Sequence, residues 1–271
     1  MGTLRPAARD AASDSSRRFR DIGFRSVGHA YTAQTQTVET LADVDFTVRR
    51  GEFVTVVGPS GCGKSTLFNL AAGLIAPTRG RVEINGYELK VKNPHVAYMF
   101  QQPALLAWRS VIDNVIFGAE LLGESKADAR ARAITSMETF GLQGFERRMP
   151  WELSGGMRQR VALLRTYMTE RELLLLDEPF GALDALTRLQ MQQFLLDTWE
   201  RDQRTVLFIT HDVDEAVLLG DRVVILSSRP ASVVDEVRID MSRPRVAENL
   251  IGTPRFTEYK LALLEHLRNS G

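Results

Sequence analysis

Apolar positions along the chain fall into two textures. Phe53-Val54-Thr55-Val56-Val57, Leu173-Leu174-Leu175-Leu176, Val206-Leu207-Phe208-Ile209 and Val223-Val224-Ile225-Leu226 are nearly continuous runs. Such runs predict strands buried on both faces of a parallel sheet. Val44, Phe46 and Val48 instead alternate with Asp45, Thr47 and Arg49, the period-2 pattern of a strand with one buried face. A first strand is expected over residues 22–31, and Val82 and Ile84 followed by Asn85-Gly86 predict a hairpin. These early strands are expected to be antiparallel and to flank the parallel core.

Between the runs the period changes. Leu67, Leu70, Ala71 and Leu74 share one helical face, and Gly73 and Pro77 supply stop signals. From 103 to about 168 helical patterns dominate: Ser125 and Asp128 have capping-box spacing, and Ala133, Ile134, Met137 and Phe140 lie on one face until Gly141. Met157, Val161, Leu164 and Met168 mark a second amphipathic helix. Further helices are expected over 185–201, around Val213, Ala216, Val217 and Gly220, and over 256–267. Strand–helix alternation after residue 173 predicts a right-handed parallel α/β sheet. The expected organisation is therefore a disordered tail (1–20), an α/β domain (21–241) with an antiparallel β subdomain first and a helical subdomain inserted at about 103–168, and a C-terminal tail with a short helix (242–271).

Composition works by exclusion. Hydrophobic residues are 44% and charged residues 25%, as in ordinary globular proteins. Lys+Arg and Asp+Glu both number 34, so nothing global favours a nucleic-acid partner, and none is expected. No apolar run approaches a membrane span, the N-terminus lacks a basic-then-apolar leader, and a single cysteine excludes an internal disulfide framework. The expected location is cytosolic, with the option of sitting on a membrane-embedded partner.

Candidate chemistry concentrates at Gly58-Pro59-Ser60-Gly61-Cys62-Gly63-Lys64-Ser65-Thr66, which has phosphate-loop spacing between a strand and a helix. The glycines permit close backbone approach, and the loop amides point at an anion at the mouth of a helix. Lys64 would reach the β- and γ-phosphates of a nucleoside triphosphate, and Ser65 would hold Mg²⁺. Cys62, among exposed amides and beside Lys64, is expected to be a reactive thiol. Asp177-Glu178 end a core strand, where Asp177 is placed to hold Mg²⁺ through its water shell and Glu178 to activate a water. His211 ends the next strand, as a γ-phosphate contact or as a surface histidine capping a helix; spacing leaves both open. Gln101, after the apolar stretch at residues 96–100, is either a ligand of Mg²⁺ or water, or a polar loop residue. Ser154, Gly155 and Gly156 begin a helix with N-cap chemistry and bare first-turn amides, a second potential anion site.

Taken in order, the phosphate loop, Gln101, Leu153-Ser154-Gly155-Gly156-Met157-Arg158-Gln159-Arg160, Asp177-Glu178-Pro179, Gly181-Ala182-Leu183-Asp184 and His211 resemble the nucleotide-binding subunit of an ABC transporter over about residues 22–230. Trp108-Arg109-Ser110-Val111, Asp177-Glu178-Pro179-Phe180 and Thr210-His211-Asp212-Val213-Asp214-Glu215-Ala216 resemble its nitrate, sulfonate and taurine importer branch. Ala107, where proline often precedes the tryptophan, and residues 163–168, where small residues are usual, depart from the pattern.

The resemblance implies a P-loop NTPase fold, ATP and Mg²⁺. It gives residues 58–66 the phosphates, Ser65, Gln101 and Asp177 the metal, and Glu178 and His211 the catalysis. Ser154, Gly155 and Gly156 would take the γ-phosphate held by a second subunit, and Asp184 a cross-dimer contact near Glu178. Tyr31 would stack on adenine, although a lone tyrosine there could equally be core. The implied partners are a second copy, integral-membrane permease subunits and, indirectly, a solute-binding protein, at the cytoplasmic face of the inner membrane. A soluble ABC ATPase not linked to transport is the rival; it would normally carry two cassettes or a coiled-coil insertion. A GTPase would not need the second glycine-rich helix start. A non-hydrolysing cassette would lack need of both Glu178 and His211.

Overall fold

The computed structural model describes residues 18–33 and 36–269, so most of the expected N-terminal tail lies outside the described residues. Two long strands come first, β1 (Asp21–Ala33) and β2 (Gln36–Arg49), paired antiparallel. In β2 the buried positions include Val44, Phe46 and Val48, as the alternation requires. β3 (Phe53–Val57) leads through a glycine-rich loop into α1 (Lys64–Ala71). β4 (Arg79–Ile84) and β5 (Tyr87–Glu88) then form the expected hairpin, turning at Asn85 (φ 54) and Gly86 (φ 82). Two successive positive φ values are what a two-residue turn between twisted strands needs. β6 (Val96–Met99) follows, and four helices make the insertion: α2 (Val111–Val115), α3 (Phe117–Leu121), α4 (Lys126–Thr139) and α5 (Gly155–Tyr167).

Strands and helices then alternate: β7 (Leu173–Asp177), α6 (Ala185–Asp202), β8 (Thr205–Ile209), α7 (Val213–Leu219), β9 (Arg222–Leu226), β10 (Ala231–Arg238), α8 (Ala247–Leu250) and α9 (Pro254–Asn269). The strands form one sheet in the order β5-β4-β1-β2-β10-β9-β3-β8-β7-β6. Its β9-β3-β8-β7-β6 half is parallel throughout. All residues of β3, β7 and β8 are buried, and successive side chains serve opposite faces. Leu174 and Leu176 join a core with the helical insertion, α6 and α7; Leu173 and Leu175 join the core over α1 and the antiparallel strands.

Some expectations shift. Ser125 caps α4 as its spacing predicts, accepting a hydrogen bond from Asp128 N at 3.1 Å. The buried stripe of α4, however, is Ala129, Ala133 and Met137, with Phe140 just beyond; Ile134 is exposed, one step too far around the helix. Leu74 is also exposed, because α1 has already ended. β10 carries almost no apolar alternation, yet it pairs antiparallel with β9 and parallel with β2, joining the two halves of the sheet.

The segment after β10 is packed against the domain. Phe256 and Leu263 are buried in the larger core, and Lys260 Nζ lies 2.8 Å from Asp214 on α7. Arg245 is 1% exposed and donates to the carbonyls of Val217, Leu218, Gly220, Ile239 and Met241. It thereby satisfies carbonyls that the end of α7 leaves without helical partners. Burial pushes its guanidinium down to about 10. Among the described residues, no helix is long and apolar enough to cross a membrane.

Candidate functional site

The carboxyl ends of β3, β6, β7 and β8 open into one cleft of about 620 Å³, the edge where open parallel sheets place ligands. Ser60, Gly61, Gly63, Lys64, Ser65 and Thr66 line it from the loop after β3. Gly63 sits at φ 125, and a Cβ there would come within 2.9 Å of Leu41 Cδ2 and 3.1 Å of Thr40 O. Both the conformation and the contact require glycine. Lys64 is 7% exposed, and its ammonium donates to Gly58 O (2.8 Å) and Pro59 O (2.9 Å). The ammonium is thus folded back over the loop it follows.

Asp177, the last residue of β7, is 3% exposed. Burial raises its pKa; the Ser65 hydroxyl, hydrogen-bonded to the carboxylate, opposes that shift, while neighbouring Glu178 adds to it. Glu178 has φ 47, in the left-handed region that few non-glycine residues adopt. Three bonds hold its peptide there: its N–H donates to Ile209 O (3.0 Å), and its carbonyl accepts from Gly181 N and Gln159 Nε2 (3.2 Å each). Its Oε2 lies 3.2 Å from Gln101 Nε2 and 3.3 Å from His211 Nδ1. Gln101, Glu178 and His211, 110 residues apart from first to last (211 − 101), therefore meet around a single carboxylate oxygen. Tyr31 reaches the cleft from β1, its hydroxyl 3.4 Å from Thr66 Oγ1 and its ring edge-on to His29. At 43% exposure it is a wall of the cleft, and not core.

Three loop residues do not line the cleft: Gly58, Pro59 and Cys62. The expectation of a reactive thiol is overturned, since Cys62 is 1% exposed, packed in the core beside α1. Burial raises its pKa, and nearby Lys64 only partly offsets that. A maleimide is accordingly expected to leave the folded protein unlabelled and fully active, and to label it only in denaturant. Rapid labelling of native protein would show that the loop opens.

Ser154, Gly155, Gly156 and Asp184 also stand outside the cleft. Ser154 caps α5, accepting from Met157 N at 3.2 Å, and Asp184 caps α6, accepting from Thr187 N at 3.0 Å. Both caps are exposed. The two helix starts adjoin, because a Cβ on Gly156 would lie 3.3 Å from Ala182 O.

Three positions that line or brace the cleft escaped the sequence. Thr40 and Arg229 line the cleft from β2 and from beyond β9. Gln159, 3% exposed, faces inward from α5 onto Glu178. A polar residue among Met157, Val161 and Leu164 was the one available signal for Gln159.

Residues 41–181 match the ABC transporter family, more than half of the 271 residues. An ABC transporter ATP-binding protein of Methanocaldococcus jannaschii is 45% identical over 232 residues, 86% of this chain and 85% of that one. A taurine import ATP-binding protein of Jannaschia is 42% identical over 84% of this chain and 86% of its own. A nitrate import ATP-binding protein of Synechococcus elongatus is 39% identical over 91% of each. Among solved structures, the dimeric ABC transporter cassette MJ0796 superposes with a TM-score of 0.73 at 29% identity, over 82% of this chain and 100% of that one. The same cassette, in a post-hydrolysis state bound to ADP and Pi, gives 0.73 at 28%. The chain thus belongs to the ABC transporter family as an ATP-hydrolysing cassette, alongside the taurine and nitrate import ATP-binding proteins.

Proposed function

We propose that this cassette is the nucleotide-binding subunit of an importer for a small anionic or zwitterionic solute of the nitrate, sulfonate or taurine kind. It works as a head-to-tail homodimer beneath integral-membrane permease subunits at the cytoplasmic face of the inner membrane, fed indirectly by a solute-binding protein. The observation that carries this reading is the split arrangement. One cleft holds Lys64, Ser65, Gln101, Asp177, Glu178 and His211, while the exposed starts of α5 and α6 stand apart from it. A second copy turned head to tail brings Ser154, Gly155 and Gly156 over the γ-phosphate and Asp184 towards the dimer contact, completing two sites.

Within each site the loop amides from Gly58 to Gly63 and Lys64 hold the phosphates, and Tyr31 stacks on adenine. Ser65, Gln101 and the buried Asp177 offer hard oxygen donors that would hold Mg²⁺, and the cation would supply neutralisation of phosphate charge. Glu178 orients the attacking water and takes its proton, and His211 aligns Glu178 with the γ-phosphate. ATP binding closes the dimer; hydrolysis and release open it, and the permease follows.

Gly155→Asp tests the split site. A Cβ at Gly155 meets nothing closer than Arg158 Nη2 at 3.9 Å, so the variant fits the monomer. The added carboxylate would face a phosphate. Monomer affinity for ATP is expected to stay at the wild-type level while ATP-dependent dimers disappear in sedimentation. Dimers that persist in Gly155→Asp would reject the head-to-tail arrangement.

A further inference from the structure

His211 is 62% exposed at its side chain, yet it stands 3.3 Å from Glu178. An exposed imidazole on a turn has little packing of its own to fix it, so its position depends on the backbone that carries it. That backbone is anchored by a buried carboxylate the hydrolytic chemistry does not use. Glu215, on α7, is 5% exposed, and burial raises its pKa. Its Oε2 accepts from the Thr210 hydroxyl at 2.6 Å, and its Oε1 accepts from Gln192 Nε2, on α6, at 3.1 Å. Thr210 is 2% exposed; its Oγ1 accepts in turn from Asp212 N at 2.9 Å. Asp212 caps α7 through Asp214 N and Glu215 N, at 2.8 and 3.3 Å. His211 is thus bracketed on both sides by one closed chain of hydrogen bonds.

Stability alone does not explain this arrangement. Both of Glu215's close partners are neutral, and its nearest cation, Arg188, is 4.0 Å away. A carboxylate buried on such terms is costly, and an apolar side chain would fill the space without that desolvation. The carboxylate does what an apolar residue cannot: it fixes the rotation of the Thr210 hydroxyl, which then fixes the peptide after His211.

We infer that Thr210 and Glu215 are positioning residues for ATP hydrolysis, holding the turn that presents His211 to Glu178. The same network reaches α6 through Gln192 and through Arg188, which donates to Leu183 O at 3.1 Å. The His211 turn is therefore braced against the helix whose start, at Asp184, stands at the proposed dimer contact. The inference rests on the catalytic reading of His211.

The test is steady-state ATPase kinetics of the full chain carrying Thr210→Val, which keeps the branched shape and removes the hydroxyl. A misdirected group commonly costs ten- to a hundredfold, so kcat is expected to fall about tenfold or more while KM for ATP stays at the wild-type value; Tm is expected to drop, because two buried groups lose a partner, but to stay above the assay temperature. Thr210→Ser, which restores the hydroxyl, is expected to restore kcat. In a His211→Ala background the Thr210→Val effect should vanish, because residues that act as a unit are not additive. Folded Thr210→Val with wild-type kcat, a Thr210→Ser that fails to rescue, or an undiminished loss in the His211→Ala background would each overturn the inference. Should Thr210→Val not fold, Glu215→Gln is read by the same criteria. Wild-type kcat in His211→Ala would remove the underlying reading; an inactive His211→Ala beside a fully active Thr210→Val would remove only the positioning role.

Discussion

Glu178→Gln is expected to bind ATP as tightly as the wild type and to turn it over about 10²–10⁴ times more slowly, the range typical of a positioned base. The variant isolates one property. Gln matches Glu in size, and the three bonds that hold residue 178 at φ 47 are all made by its peptide, to Ile209, Gly181 and Gln159. Backbone geometry should therefore survive, and the amide can still meet Gln101 or His211 on one side. What disappears is the capacity to accept a proton from water. Because ATP is bound and not consumed, the dimer should accumulate, visible as an ATP-dependent doubling of mass in sedimentation. Hydrolysis close to the wild-type rate in purified Glu178→Gln would place the base elsewhere.

Much of this site was legible in the sequence because its parts are local. A continuous apolar run fixes a buried parallel strand, and the residue ending it must lie at the ligand edge of the sheet; that placed Asp177, Glu178 and His211. The phosphate loop carries its own spacing and needs no partner to be recognised. What escaped depends on tertiary register. β10 closes the sheet between β9 and β2 through backbone pairing, with Ala231 the one fully buried residue of its length, so no hydrophobic pattern announces it. Gln159 bonds to a peptide 19 residues away, and Arg229 reaches the cleft only because β9 lies beside β3. Cys62 was misjudged for a related reason. Spacing gives the loop's path but not which side chains turn inward, and this one turns under the loop into the core.

If the proposed permease partner is right, Trp108→Ala is expected to weaken assembly with it by about 30-fold or more, the fold-change corresponding to the roughly 2 kcal/mol of an aromatic hot spot. The segment from Pro103 to Trp108 links Gln101, in the cleft, to α2 in the helical insertion. Its apolar residues divide in two. Leu105 packs against the core, whereas Trp108 is 75% exposed. The backbone around them is pinned: Arg165 donates to Pro103 O (2.8 Å) and Ala104 O (2.9 Å), and Asn114 exchanges bonds with Leu106 N (2.8 Å) and O (3.1 Å). A large indole held out from a rigid loop loses little further freedom on docking, which favours an anchor over a loosely solvated side chain. The site also suits coupling, because Gln101 at one end touches Glu178 and therefore stands where nucleotide turnover is felt. Two measurements on one variant separate docking from folding: co-purification with the permease, and ATP affinity with Tm for the isolated chain. Trp108→Ala should lose the first and keep the other two, since the exposed ring contributes little to the core. Intact co-purification, or a fall in Tm large enough to account for lost assembly, would remove Trp108 from the docking surface.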